Sequence, residues 1–123
     1  MTPKDKELLL KDLCARLPYR VKVSYYGVEE ERETWDEIES VTLDGYVDIG
    51  QYSLSIEHIK PYLFPMSSMT AEQKEEYSNL NFYELGCFPR TEYALDYLIK
   101  NHFDYRYLID KGLAIDATGL NIY

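Results

Sequence analysis

Apolar and polar positions change period along this chain, and each change marks an element. Leu9, Leu13 and Leu17 recur at i+4 with Leu10 and Cys14 beside them, an apolar stripe on one face of a helix. Thr2 can cap that helix, Pro3 suits its first turn, and Asp5 lies at the positive end of its dipole. Pro18 ends it, because proline has no N–H to donate and restricts the residue before it. Beyond Arg20 the period becomes two. Val21, Val23 and Tyr25 face one way while Lys22, Ser24 and Tyr26 face the other, as in a strand with one buried side. Gly27 breaks the alternation. The segment VEEERETWDEIES predicts an acidic loop that leads into a second strand near Trp35. Asp44-Gly45 signals a type I′ hairpin turn, and Gly50-Gln51 a second tight turn with glycine in the first central position. Tyr52, Leu54 and Ile56 then alternate, so the region predicts an antiparallel meander of about four strands.

The stretch HIKPYLFPMSSMTAEQKEEY follows. IEHIKPYL predicts one tight helical turn, and Pro61 and Pro65 hold the next residues extended. The two prolines are four apart, so the PxxP spacing of a proline-rich ligand is absent. The stretch therefore reads as a stiff structural bridge, since apolar residues in such a connector pack on their own domain. Thr70 and Gln73 form a capping box, which predicts a helix from Ala71 to Leu80. NFYELGCFPRT reads as a loop. EYALDYLIKNHF reads as a helix with Tyr93, Tyr97 and Leu98 on one side. Asp104 can cap a last short helix, YRYLIDK, which Gly112 would close. The tail LAIDATGLNIY is expected to pack back.

The whole predicts a single α+β domain over residues 1–123. Its parts are a helix (1–18), a small β-meander (20–57), a bridge (58–70) and a helical part (71–123). The predicted core is Leu9, Leu13, Val21, Val23, Leu54 and Ile56.

Charge narrows the function classes. The net charge is −9. Residues 1–22 carry six basic and three acidic side chains, residues 23–57 one and ten, and the remainder six and nine. A chain this acidic repels phosphate backbones, so direct nucleic-acid binding is not expected. No signal peptide is visible, and no apolar run reaches the roughly 20 residues of a membrane span. A cytoplasmic protein with free thiols at Cys14 and Cys87 is expected.

No pattern of catalytic chemistry stands out. His58 and His102 lack a second ligand at helical spacing, so no metal or cofactor is expected. His102 reads as a helix-end residue beside a capping Asp104, where a cation suits the dipole. Cys87 reads as a small buried residue. No nucleophile elbow, phosphate-binding loop or dinucleotide fingerprint is present, and no enzyme is expected. The run from Glu29 to Glu39 holds seven carboxylates and one arginine without regular spacing. It reads as a solvated face or as a docking patch for a basic partner.

Tyrosine is the compositional oddity, at 13 residues. Tyr25 and Tyr52 fall on the buried alternation. Tyr26 and Tyr46 fall on the polar face, where tyrosine suits an interface, or where the two could cover each other across strands. The candidate partner-binding set is therefore Tyr26, Glu29, Glu30, Glu31, Trp35 and Tyr46.

IEHIKPYLFPMSSMTAEQKEEY and YLIKNHFDYRYLIDKGLAID resemble the two signature stretches of a family of small uncharacterised proteins. These are encoded in gut bacterial genomes and in their phages and prophage regions. The resemblance spans nearly the whole chain and implies phage or mobile-element biology inside a bacterial cell. It implies no catalytic residue. The segment from Asn79 to Thr91 is short for such a protein, which implies that one element is reduced. The meander is also similar in pattern to SH3-like barrels of the Tudor type. Together these readings make the expected function a non-enzymatic interaction protein with a basic protein partner. The alternative is an acidic DNA mimic that blocks a DNA-binding enzyme.

Overall fold

The computed structural model describes residues 1–80 and 91–123 and shows an α+β architecture. The loop expected before the third helix and Cys87 lie outside the described residues. Helix α1 spans Pro3–Arg16. Thr2 Oγ1 accepts the Asp5 N–H at 3.1 Å and Asp5 accepts the Thr2 N–H at 3.4 Å, a reciprocal capping box. Its buried residues are Leu9, Asp12, Leu13 and Arg16, at i, i+3, i+4 and i+7. The expected stripe shares Leu9 and Leu13 with this one. Cys14 is exposed instead, because Asp12 and Arg16 turn the helix toward their own partners. A 3₁₀ turn at Leu17–Tyr19 holds Pro18 and ends the helix.

Strand β1 (Lys22–Gly27) buries Val23 and Tyr25 as the alternation predicts, with Val21 buried just ahead of it. It pairs antiparallel with β2 (Arg32–Glu37), so the acidic segment is a hairpin whose second arm runs through Trp35. Strands β3 (Ser40–Val41), β4 (Tyr46–Ile49) and β5 (Tyr52–Ser55) form a separate three-stranded sheet. The expected single meander is thus two sheets, and the likeness to SH3-like barrels finds no confirmation in this pairing. The Asp44-Gly45 turn is not type I′, which needs positive φ at both central residues. Only Gly45 in that loop has one, at +89°, and its N–H donates to Thr42 O at 3.1 Å. At Gly50 the φ is +57° and Ile49 pairs with Tyr52, so the two-residue turn stands as read.

The largest departure is the expected bridge. Residues Lys60–Pro65 form β6, a strand inside the five-stranded sheet. It pairs antiparallel with β1 and parallel with two short strands, β7 (Phe103–Asp104) and β8 (Ile115–Asp116). Backbone groups of successive strand residues point to opposite edges. Phe64 N–H donates to His102 O at 2.8 Å on one edge, while Leu63 O accepts from Ala117 N–H at 2.8 Å on the other. Pro61 and Pro65 share the Leu63 edge, where β8 pairs only with Tyr62 and Leu63. Their missing N–H groups therefore cost no ladder bond, which is how a strand with neighbours on both edges tolerates two prolines.

The Thr70–Gln73 capping box closes at 2.9 and 3.1 Å and starts α2 (Ala71–Leu80) as read. Helix α3 (Thr91–Lys100) buries Ala94, Leu98 and Ile99 and leaves Tyr93 exposed. Tyr97 instead stacks near Tyr77 and donates to Glu76 at 2.8 Å, joining α3 to α2. The expected last helix does not form. Tyr107 takes a left-handed φ of +59°, which an α-helix does not allow, and residues 105–106 and 108–112 on either side of it are turns. Asp104 caps them all the same, accepting the Leu108 and Ile109 N–H groups at 2.8 and 2.9 Å. The tail packs back as expected, with Leu113, Ala114, Ala117 and Ile122 buried.

One cluster joins α1 to both sheets through Leu9, Leu13, Val21, Val23, Val47, Ile49, Ile56 and Leu63. Of the predicted core only Leu54 is partly buried, packed against that cluster. A smaller cluster of Met69, Leu98 and Phe103 seats α2 and α3.

Candidate functional site

The register of β1 and β2 decides what this chain presents to a partner. Lys22, Ser24 and Tyr26 lie opposite Glu37, Trp35 and Glu33, and all six share the face turned away from Val23 and Tyr25. Tyr26 and Trp35 are 52% and 46% exposed there, on diagonal positions of adjacent strands. The structure thus brings two of the six candidates together, with Glu33 between them.

The other four divide. Glu29 N–H donates to Tyr52 Oη at 3.1 Å, and Tyr52 Oη donates to the Glu30 carboxylate at 3.0 Å. Gln51 Nε2 donates to Glu29 at 2.8 Å. Glu29 and Glu30 therefore tie the β1–β2 turn to the second sheet. Glu31 is exposed in the same turn with a left-handed φ of +55°. Tyr46 belongs to the other sheet and pairs with Ser55, so it and Tyr26 do not cover each other across strands.

The face continues beyond the six. The Lys22 ammonium sits 4.8 Å from the Trp35 ring centre and 5.5 Å from that of Tyr123. It also donates to Ile122 O at 2.5 Å. Tyr123 Oη accepts the Lys22 N–H at 2.9 Å and donates to Tyr62 O at 2.8 Å, bridging β1 and β6 just past their last ladder pair. Its ring stacks on His102 at 3.7 Å and 13°. Behind that stack lies a cleft of about 460 Å³ lined by Phe64, Lys100, His102, Phe103, Thr118 and Tyr123.

His102 is a helix-end residue, as read, but it is not the cation expected there. Burial, with Arg16 and then Lys22 nearby, lowers its pKa to about 4. Below the ordinary imidazole value of 6.5 the unfolded chain takes up a proton that the folded chain refuses. Stability is therefore expected to fall as pH drops from 6.5 toward about 4, and to change no further through this group below that. Urea unfolding of the native chain and His102→Phe across this range isolates the effect, because Phe keeps a stacking ring without titrating. A difference between the two chains that does not vary with pH would refute it.

Sequence reasoning missed a buried charge cluster. Asp12 and Arg16 are fully buried, and Arg16 Nε donates to Asp12 at 2.7 Å. Arg16 also donates to Phe103 O at 2.6 Å, and Arg106 lies 3.4 Å from Asp12. Burial pushes the Asp12 carboxyl up, with Arg16 pulling against it. The signal was present: Leu9, Asp12, Leu13 and Arg16 occupy the i, i+3, i+4, i+7 slots of one face.

Among the described residues no cluster of His, Cys, Asp or Glu could hold a metal ion, and no helix is long and apolar enough to cross a membrane. Compared with protein-family models, with curated proteins and with solved structures, the chain gives no match.

Proposed function

We propose that this chain is a non-enzymatic interaction protein whose open β1–β2 face docks a protein partner with a basic surface. The observation that carries the reading is Tyr26 and Trp35, half-exposed on one face and flanked there by Glu33 and Glu37. Exposed aromatics rimmed by charge mark interaction sites. Indole and phenol rings bury large area at little entropic cost, which suits them to the centre of an interface. The carboxylates match a basic partner and steer its approach. The acidic turn extends that field, although Glu29 and Glu30 are also held by the second sheet. The resemblance to proteins of gut bacteria and their phages makes bacterial lysate the source in which to seek the partner.

The test places a photo-crosslinking amino acid at position 26, and at position 46 as the control on the other sheet. Position 26 is expected to give a specific adduct that position 46 does not. Trp35→Ala should reduce it at least tenfold, the range for losing a central aromatic anchor. Raising salt should reduce the association rate more than it raises dissociation, because the attraction is screened within roughly 8–10 Å. Equal adducts from both positions, unaffected by Trp35→Ala, would sink the reading.

A further inference from the structure

Strand β2 is the outermost strand of the five-stranded sheet. The phase of its ladder follows from one bond: Ile38 N–H donates to Val21 O at 3.2 Å. In an antiparallel pair the bonded residues alternate, so Arg32, Thr34 and Asp36 turn their backbone groups toward β1. Those of Glu33, Trp35 and Glu37 point outward. Glu37 N–H is taken by the Asp36 carboxylate at 2.7 Å. The backbone N–H and C=O of Glu33 and Trp35 have no hydrogen-bond partner among the described residues. Just beyond the edge the chain turns off into the second sheet, where Glu39 N–H donates to Asp48 O at 2.8 Å. The open edge is therefore short and bounded.

We infer that this edge is a strand-addition site for an extended basic segment of the partner. The inference rests on the reading of the β1–β2 face above and specifies how the partner is held. An added strand would bond the free N–H and C=O groups of Glu33 and Trp35, the source of affinity in strand addition. The same two residues carry their side chains to the open face. A residue opposite Trp35 would meet the indole directly and find Glu33 and Glu37 at the diagonal positions. That environment selects arginine or lysine. The indole already holds one ammonium, Lys22 at 4.8 Å.

Charge excludes the simplest rival, a second copy of this chain. β2 reads RETWDE, with three carboxylates and one guanidinium. Antiparallel self-pairing centred on Trp35 sets Glu33 opposite Glu37 of the other copy, and like charges directly opposed are unfavourable. Charged residues on an edge strand also deter edge-to-edge association of identical chains. A basic strand meets the same carboxylates favourably.

The probe is a synthetic nine-residue peptide of alternating Thr and Arg, capped at both ends, added to the isotope-labelled full chain. Opposite Trp35, an Arg whose side chain shares the open face turns its own N–H toward β2. The parent peptide is expected to slow amide exchange of Glu33 and Trp35 at least tenfold. N-methylating the Arg amides should weaken binding at least tenfold, while N-methylating the Thr amides should leave it unchanged. Glu33→Pro should also weaken binding tenfold, because it removes an outward N–H without touching the β1 ladder. The peptide arms stand without that variant if it fails to fold. Equal binding of all three peptides, or no protection at Glu33 and Trp35, would overturn strand addition. If crosslinking at position 26 still succeeds, the docking face survives that result; if it fails as well, both readings fall.

Discussion

Arg16→Ala is expected to lower folding stability by about 3–5 kcal/mol, the range for breaking a buried ion pair from one side. The guanidinium is fully buried, donates to Asp12 at 2.7 Å and to Phe103 O at 2.6 Å, and lies 5.4 Å from the centre of the Tyr105 ring. Removing it leaves a fully buried carboxylate whose remaining ion-pair partner, Arg106, is 3.4 Å away. It also cuts the tie between α1 and the β7 strand. The loss should shrink as pH falls, because a protonated Asp12 costs less to bury than a charged one. Asp12→Leu combined with Arg16→Met should cost less than Arg16→Ala alone, since no charge is stranded between them. Urea unfolding at neutral and mildly acidic pH measures all three. A loss below about 1 kcal/mol would place the pair in solvent, where such pairs contribute little.

Leu13→Ala is expected to cost roughly 2–5 kcal/mol, the range for truncating a buried leucine. Leu13 has no exposed surface and sits in the cluster that joins α1 to both sheets. Its removal leaves a cavity between an α-helix and strands that cannot easily close over it, because each sheet is held by its own ladder. Cys14→Ala, one residue on, should change stability within about 0.5 kcal/mol, as exposed substitutions do. Denaturant unfolding of the two variants together checks the rotational phase of α1. Equal losses would mean that the helix presents a different face to the sheets.

Much of the fold was legible because its signals are local. The caps at Thr2 and Thr70 need only four residues of sequence each and formed as read, the Thr70–Gln73 box included, while the reciprocal bond from Thr2 N–H to Asp5 appeared only in the structure. The alternation through Val21, Val23 and Tyr25 declared its buried face. The candidate site was half legible. Tyr26 and Trp35 could be named from the sequence as surface aromatics, but their meeting on one face required the β1–β2 register, which the unremarkable turn at Val28–Glu31 does not announce. Glu29 and Glu30 looked free because their partners, Gln51 and Tyr52, lie more than twenty residues away.

By itself the sequence determined the helix starts, the strand alternation, the acidic balance and the buried Leu9 and Leu13 of α1. These depend on spacing within a few residues, where backbone geometry leaves few choices. Only the tertiary structure decided that Lys60–Pro65 is a sheet strand, that Asp12 and Arg16 are buried, and that His102 is neutral. Each of those depends on a neighbour distant in sequence. β6 becomes a strand because β1, β7 and β8 supply its bonds on both edges, and the prolines happen to share the edge with the fewest. Arg16 is buried because Phe103 O receives it, and His102 loses its charge beneath Tyr123 and beside Arg16. A long-range contact changes the dielectric and the hydrogen-bond supply around a side chain, and neither can be read from its immediate neighbours in the chain.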